Sequence, residues 1–408
     1  EHHFEQALQI TGTKQITLKD YLPIIINSKY AWPGTNIYDL IMQEAIAYYA
    51  KQLDQNSLNL MNYKESKAKL LLPYEKFLQL PLEPNNSTHI VKAIALYQQW
   101  MQLHANDQDK NLFAAIDLQR LNWAKQIHGD NQNNQHYLNA IQKLLTQWPC
   151  EASYQVYYQL ALADMEKAMN YNRLTDTTNR YRYLDALHHI NAGLARTADT
   201  TLQAALKGLV ANIQQPSLSV TTEAVQIPAQ AFRVLLNFRN TTTLYTRIIR
   251  LSADGFSDTI TDNNSKTKWL HRLPVYRSEQ ISLPDTKDYQ EHAAELKIDA
   301  LPSGKYLLLC SSDPSFQQDK GAVSCNTIWV SSISYVQHKN DLFVLNRSNG
   351  QPMKDALIEV YDNNFNKQKA AKLINSGKTD ANGRYTYKGP FTNNYHYRFI
   401  YKKDTLDM

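Results

Sequence analysis

The sequence is poor in cysteine and has no long apolar run. Its 408 residues include three cysteines, Cys150, Cys310 and Cys325, and none lies in a CxxC pair or a cysteine–histidine cluster, so no zinc site is indicated. No run reaches the roughly 18 apolar residues that indicate a transmembrane helix. The first residues, EHHFEQALQ, lack the apolar core of a signal peptide. Residue 1 is therefore expected to be a mature N-terminus or the boundary of a fragment.

The sequence also lacks the signatures of common catalytic and nucleotide-binding sites. It contains no GxSxG elbow, no HExxH, no P-loop and no GxGxxG. His188 and His189 are neighbours on a predicted helix, so they face different directions and cannot share a metal as an i, i+4 pair would. Glu291 and Glu295 are interpreted as solvated acids on an exposed segment. We therefore expect no catalytic, cofactor-binding or metal-ligating residues, and we predict that the chain is not an enzyme.

The charge of the chain is nearly balanced. The formal net charge of +5 is small for this length, and the basic residues form no stripe, so no nucleic-acid partner is expected. Hydrophobic residues make up 43% and charged residues 20% of the chain, which is enough to build cores. The length predicts roughly two to four domains.

Residues 1–215 are predicted to form an α-helical domain. Apolar residues recur at helical spacing in three stretches, which are Ile37, Leu40, Ile41, Ala45 and Tyr48; Ile90, Ile94, Tyr97 and Met101; and Leu138, Ile141, Leu145 and Trp148. Thr35-Asn36 and Ser87-Thr88 offer N-cap side chains before two of these helices.

Two later helices, residues 154–170 and 180–196, are predicted to pair across a polar loop. The pair has the size of a tetratricopeptide-type repeat, but no strict self-similarity at that period is present. We interpret the region as an irregular array of helical hairpins. It is either a docking surface for a partner or a spacer that packs on the β part.

The helical period stops at Gln214-Gln215-Pro216-Ser217, and a two-residue alternation begins. The alternation over residues 232–238 predicts a strand with one face in a core. Further strands are predicted at 244–251, 281–283 and 295–298, and an exposed loop at 254–268. About seven short strands in roughly 115 residues is typical of a β-sandwich, so residues 216–333 are predicted to form one.

A turn at Pro302-Ser303-Gly304 leads into the next apolar run, 306–309. Ile328-Trp329-Val330 begins a strand that is predicted to continue through residues 333–336. The boundary between two β domains is expected within this strand, with almost no linker.

Two Asn-Gly pairs follow, and each is predicted to be the turn of a β-hairpin. Asn349-Gly350 is predicted to join strands at 342–345 and 357–361. Asn382-Gly383 is predicted to be the turn of a hairpin at 379–387.

Residues 334–408 are predicted to form a second antiparallel sandwich of five to seven strands, closed by a strand at 397–401. The chain ends soon after that strand, which suggests a fragment of a longer protein. Asp380, Asn382 and Gly383 superficially resemble a calcium loop. The twelve-residue ligand pattern with its terminal Glu is absent, and turn chemistry explains these residues.

The pieces between residues 301 and 389 resemble the macroglobulin-like domains of the α2-macroglobulin family, in its bacterial branch. In that family a domain closes with a W-V-S strand, and the next opens with a G-x-P-x-x-x-A-x-V-x-V-Y hairpin and a T-D-x-x-G turn. The matching residues are Trp329, Val330 and Ser331, then Gly350, Pro352, Ala356, Ile358, Val360 and Tyr361, then Thr379, Asp380 and Gly383. Residues 33–49 and 216–251 also resemble the helical leader and first β domain of those proteins.

The resemblance implies a parent protein that inhibits or traps proteases at the bacterial cell envelope. It implies a periplasmic or cell-surface location, associated with the outer membrane, after secretion by a signal peptide that this chain does not contain. A lipid anchor on the parent is compatible with it. Full-length members can carry a Cys-x-Glu-Gln thioester, but none of the three cysteines here is followed by that pattern. This N-terminal portion is therefore expected to be a non-enzymatic scaffold without a cofactor.

Two other functions stay open. In one, the chain is an adaptor, in which the helical array binds an envelope protein and the sandwiches are spacers. In the other, the domains are accessories of an envelope enzyme whose catalytic domain lies downstream.

Cys310 and Cys325 lie at the loop-facing ends of two apolar segments. If these segments pair as a hairpin, a disulfide between the cysteines is feasible, and an oxidising envelope compartment would favour it. Closing a loop of about 15 residues would stabilise the domain by roughly 3 kcal/mol in the chain-entropy model. The alternative is two free, partly buried thiols.

Overall fold

The computed structural model describes most of the chain, namely residues 2–21, 35–51, 69–82, 88–128, 134–251, 273–362, 372–390 and 395–408. The chain divides into two compact units, Glu1–Ile213 and Gln214–Met408. The first, here called the helical unit, is built from α-helices, and the second, here called the β unit, from antiparallel and mixed sheets. The protein therefore belongs to the α plus β class.

The α-helices found in the described ranges follow the predicted periodicity. In chain order they are α1 His2–Leu8, α2 Ile37–Lys51, α3 Tyr74–Phe77, α4 His89–His104, α5 Asn111–His128, α6 Asn134–Gln147, α7 Gln155–Met169, α8 Arg182–Leu194 and α9 Thr200–Gln214. The three predicted apolar stretches lie in α2, α4 and α6, and the predicted pair corresponds to α7 and α8. Short 3-10 helices lie at Thr11–Gln15, Leu18–Tyr21 and Glu151–Tyr154.

The apolar stripes of α2, α4, α5 and α6 meet in one core. Met42, Trp100, Phe113 and Ile141 are among its fully buried members. Burying these stripes against one another gives the helices most of their stability, because isolated helices of this length are marginal in water.

The start of α2 confirms its predicted cap. Asn36 Oδ1 accepts a hydrogen bond from the Asp39 backbone N–H at 3.1 Å, and Asp39 Oδ2 accepts one from the Asn36 N–H at 2.8 Å. This reciprocal pair is a capping box, which satisfies two N–H groups that the first turn leaves unpaired. Thr88 stands at the N-cap of α4 but makes no side-chain capping bond there.

The strands of the β unit are β1 Ser217–Thr221, β2 Val225–Gln226, β3 Phe232–Arg239, β4 Thr243–Leu251, β5 Val275–Ser282, β6 His292–Ile298, β7 Gly304–Ser311, β8 Val323–Val330, β9 Ile333–His338, β10 Asp341–Asn346, β11 Leu357–Asp362, β12 Lys372–Lys378, β13 Arg384–Thr386, β14 Tyr395–Tyr401 and β15 Asp404–Asp407. In β3, Val234, Leu236 and Phe238 are buried while Arg233 and Leu235 are exposed, which confirms the predicted face. The predicted loop at 254–268 lies outside the described residues.

In the described residues of the β unit, four sheets form two main cores, and a smaller apolar cluster lies on the other face of β4 and β7. The sheets β1-β3-β6 and β2-β8-β7-β4-β5 contribute to one core. The sheets β13-β10-β9 and β12-β11-β14-β15 contribute to the other. Within the described residues, the paired strands are antiparallel except β2 with β8, which are parallel. Val225 and Trp329, from the first pair of sheets, belong to the second core, so the two cores meet at β2 and β8.

Both Asn-Gly pairs form turns, but neither turn joins two paired strands. Gly350 and Gly383 have φ values of 71° and 72°, the left-handed region that glycine tolerates best. The strand before Asn349-Gly350, β10, pairs with β9 and β13, whereas the strand after it, β11, pairs with β12 and β14. Asn382-Gly383 likewise leads from β12 to β13, which lies in the other sheet. The predicted pairing of the flanking strands is therefore wrong, because both turns are corners between sheets. Only a single antiparallel bridge, Leu345 with Pro352, spans the first turn in the described residues.

Two further strand predictions need correction. The strand that begins before Trp329 does not continue through 333–336. It ends at Val330, and β9 starts anew at Ile333 in another sheet. The strand predicted to close the last sheet, β14, is interior, because β15 pairs with its outer side.

Candidate functional site

Buried Thr379 joins the two corner turns. Its Oγ1 donates a hydrogen bond to the Met353 carbonyl at 2.5 Å and accepts one from the Ala356 N–H at 2.9 Å. Val344 of β10 then holds both corners, because its N–H donates to the Gly383 carbonyl and its carbonyl accepts from the Met353 N–H. The residues that carry the family resemblance at these corners therefore have structural contacts.

The W-V-S residues lie where the two cores of the β unit meet. The Trp329 N–H donates to the Ala224 carbonyl at 2.8 Å, and the Ser331 N–H donates to the Gln226 carbonyl at 2.9 Å. Next to them, the backbone N–H and Oγ of Ser332 both donate to Asp404 Oδ2 at 2.6 Å. These contacts fix the direction in which the chain leaves β8 and enters β9.

Cys310 and Cys325 are not joined by a disulfide in the structure. In the β7–β8 pair, Cys325 lies opposite Leu309, and Cys310 lies opposite Ser324. Since successive side chains of a strand point to opposite faces, the two thiols lie on different faces of the sheet. Cys310 is buried, which raises its pKa to about 12, whereas Cys325 is exposed. The feasible disulfide is therefore not formed in the structure.

The other polar residues considered in the sequence are not assembled into a site. His189 Nε2 lies 3.4 Å from Asp164 Oδ2, and exposed Glu295 pairs with Arg233 at 2.7 Å. Asp380 Oδ1 accepts from the N–H groups of Asn382 and Arg384, as a turn requires. Among the described residues, no group of three or more His, Cys, Asp and Glu could hold a metal ion. Within those residues, no helix is both long and apolar enough to cross a membrane.

The helical unit contains a buried histidine between two carboxylates. His104, at the end of α4, places Nε2 2.8 Å from Asp39 Oδ1 and Nδ1 2.7 Å from Asp107 Oδ2. Asp39 Oδ1 also accepts from the indole N–H of Trp100 at 2.9 Å. Burial alone would lower the pKa of His104, but the hydrogen bonds and charges of the two carboxylates outweigh burial and raise it. Two ionised carboxylates can only accept, so the arrangement favours an imidazolium that donates from both nitrogens.

A cleft of about 650 Å³ lies among α2, α4, α5, α7 and the start of α9 in the helical unit. One face of α5 contributes Ala115, Gln119, Asn122 and Gln126 at spacings of three and four residues, which places them in one row. Trp123 also lines the cleft. Asp199 is the charged residue of this lining, and its Oδ1 accepts from the Thr201 N–H at 2.8 Å at the start of α9.

Apart from Asp199, the lining of the cleft is uncharged, and it is rich in amides. The alanines Ala47, Ala50 and Ala152, together with Ile46 and Leu118, form apolar parts of its wall. Sequence reasoning did not identify this site, although it allowed a docking surface in the helical region. The signal available was the row of uncharged polar residues Gln119, Asn122 and Gln126 on α5, a pattern that surface exposure alone would also explain.

Comparison with known proteins gives a limited result. No family model matches the chain, and no curated protein matches it either. Among solved structures, the chain is similar to a fragment of native alpha-2-macroglobulin from Escherichia coli that spans domains MG0-NIE-MG1, with 14% identity and a TM-score of 0.34 over 48% of this chain. The match spans 64% of that fragment's length.

Two other similar structures were found. A shorter fragment of the same Escherichia coli protein, spanning NIE-MG1, gives the same identity and TM-score and is covered over 98% of its length. The major pilin subunit of Bacillus cereus gives 11% identity and a TM-score of 0.15 over 48% of this chain. These identities and TM-scores are too low to assign the chain to a family. The resemblance to the α2-macroglobulin family therefore depends on the sequence motifs of the β unit.

Proposed function

We propose that this chain is a non-enzymatic scaffold, the N-terminal portion of a bacterial α2-macroglobulin-like protein whose whole form inhibits or traps proteases at the cell envelope. The observation that carries the proposal is the placement of the family's motif residues. Thr379, Gly383 and Ser331 are buried and fix corners and junctions of the β unit. Residues with such contacts shape a scaffold and leave no nucleophile or acid–base pair exposed among them.

The electrostatics of the described titratable groups support a role without chemistry. Burial raises the pKa of the Cys310 thiol, so its thiolate, the reactive form, is disfavoured at neutral pH. Both nitrogens of His104 are already occupied by carboxylates, so this histidine has no free lone pair for proton transfer. Neither group is suited to act as a nucleophile or as a general base.

The proposal is tested by comparing this chain with the whole product of its gene. Each is incubated with trypsin, and the cleavage of a large protein substrate and of a small chromogenic peptide is then measured. We expect the whole product to reduce cleavage of the large substrate. We expect this chain alone to leave both activities unchanged and to form no methylamine-sensitive covalent adduct. A whole product that leaves both activities unchanged, or a chain that hydrolyses either substrate itself, contradicts the proposal.

The adaptor function is a second candidate, and the cleft of the helical unit favours it. Its wall combines small apolar side chains with neutral amides, a composition suited to binding another molecule. In this case the β unit would serve as the rigid carrier of a helical binding module.

A further inference from the structure

Two residues that line the cleft of the helical unit each carry a buried polar atom without a hydrogen-bond partner in the described part of the chain, one a donor and one an acceptor. They are the indole Nε1 of Trp123 and the amide Oε1 of Gln119, and both atoms are buried. Native proteins leave few buried polar atoms unpaired, and each such atom calls for an explanation. Because the two residues are four positions apart on α5, their side chains lie on one helix face, one turn apart.

We propose that this cleft binds an extended, uncharged peptide segment that carries a small or aliphatic side chain. A single peptide group offers one acceptor and one donor. Its carbonyl can accept from Trp123 Nε1, and a backbone N–H of the segment can donate to Gln119 Oε1. The proposal goes beyond the scaffold function, because it assigns the helical unit a ligand of its own.

The charge and shape of the cleft set the class of the ligand. Asp199 already accepts a hydrogen bond from the backbone of α9, and a lone carboxylate disfavours an anionic ligand. Ala47, Ala50 and Ala115 leave room that larger side chains would fill, and they present apolar surface to a small or aliphatic group. Asn122 and Gln126 add neutral amides along the same row, where further peptide groups of an extended segment can pair.

The burial of the aromatic rings favours a peptide over a saccharide. Sugar rings are commonly bound by stacking on an exposed aromatic face. The two aromatic residues of this cleft, Tyr97 and Trp123, are only 1% and 5% exposed. They therefore form its floor and offer no open ring face.

Binding is expected to move one side chain. The two unpaired atoms are covered in the structure, so a ligand reaches them only when a neighbouring group turns aside. Gln119 is half-buried, and its amide can rotate about its own side-chain bonds. We therefore expect a local change on α5 when the peptide binds.

The test uses the whole 408-residue chain and a library of uncharged pentapeptides that are N-acetylated and C-amidated. Binding of the best member is measured by calorimetry for the wild type, Trp123→Phe and Gln119→Leu. Each substitution removes one proposed hydrogen bond, so we expect each to weaken binding roughly fivefold, the usual net effect of one such bond.

Trp148→Phe is the matched control. The indole Nε1 of Trp148 is also buried and unpaired among the described residues, but Trp148 is absent from the lining of the cleft. We expect this variant to bind the peptide like the wild type. In ¹⁵N-labelled wild-type protein, the indole resonance of Trp123 should shift on peptide addition, while that of Trp148 should stay in place.

The resonance experiment needs only the wild-type fold, so it decides the question even if a variant fails to fold. The proposal is overturned if no library member binds, if Trp123→Phe and Gln119→Leu bind the peptide as tightly as the wild type, or if the Trp123 resonance does not respond. It is also overturned if neutral oligosaccharides shift that resonance and the peptides do not. No protease is present, so these results are independent of the test of the scaffold function.

Discussion

In the helical unit, a buried ion pair connects a helix to a distant segment, whereas at the corner turns of the β unit backbone groups and a threonine hydroxyl make the connections. Arg120 illustrates the first kind. It is fully buried, pairs with Asp117 at 2.6 Å, and donates to the carbonyls of Leu70 and Leu72. Its guanidinium also lies 4.3 Å from the ring centre of Phe77.

In the β unit, the two corner turns are connected to each other through backbone atoms. Thr379 and Val344 bind the corner turns through hydrogen bonds to backbone atoms. The difference follows from the elements themselves. A helix satisfies its own backbone except at its ends, so its interior is connected to other segments by side chains. A strand and its turns have backbone donors and acceptors to share, and a glycine or a small hydroxyl is enough to place them.

The largest loss of unfolding free energy should come from removing the buried ion pair of the helical unit. Arg120→Met leaves Asp117 buried without its partner, and losing one member of a buried ion pair typically costs about 3–5 kcal/mol. Urea unfolding gives the free energy, and hydrogen exchange read by mass spectrometry should place the loss in the helical unit. Arg233→Met is the control, since that exposed pair should contribute at most about 1 kcal/mol.

The double variant Asp117→Leu with Arg120→Met sharpens this result. Replacing both members of a buried ion pair by apolar groups is often neutral or stabilising, so we expect much of the lost stability to return. If Arg120→Met unfolds at the same urea concentration as Arg233→Met, the buried ion pair is not what stabilises the helical unit.

The next effect concerns the corners of the β unit, where two glycines with the same backbone conformation differ in their surroundings. An added Cβ at Gly350 would meet nothing within 4 Å, so Gly350→Ala should cost only the left-handed strain of about 1–2 kcal/mol. At Gly383 the Cβ would lie 2.5 Å from the Val344 carbonyl oxygen. Gly383→Ala should therefore cost about 1 kcal/mol or more beyond Gly350→Ala, as measured by urea unfolding. Equal losses would mean that the corner can relax away from Val344.

The smallest effect should be a pH dependence confined to the helical unit. Asp39 from α2 and Asp107 from the loop after α4 raise the pKa of His104. Lys14 and Asp109 also line the surface pocket that contains His104. Because the pKa of His104 is raised in the folded state, protonated His104 stabilises the helical unit fully below the unfolded-state pKa of about 6.5. This stabilisation is lost as the pH rises through the folded-state pKa. We expect the helical unit to lose stability over this range.

His104→Gln provides the comparison for this prediction. The amide cannot change its charge, so the variant should be less stable below pH 6.5 and should show a flatter pH profile. Thermal unfolding followed by helical circular dichroism at several pH values measures both profiles. Parallel profiles for the two proteins would show that His104 is not the titrating group.

The sequence by itself determined the elements whose signal is local. Apolar spacing located α2, α4 and α6, and alternation located the buried face of β3, because both patterns depend on residues within one or two turns or pleats. Asn36 was identified as a cap for the same reason. Asn-Gly pairs marked the positions of two turns, since positive φ is a property of the glycine itself.

Only the tertiary structure decided which partners these elements would meet. His104 and Asp39 are 65 positions apart, and Arg120 and Leu70 are 50 apart, so no local pattern could join them. The two Asn-Gly turns became corners because sheet membership depends on strand pairing elsewhere. The cysteines were separated by register, since strand pairing with a period of two residues places Cys310 and Cys325 on opposite faces. Local chemistry therefore fixed the turn or the helix, and packing over long sequence separations fixed the contacts.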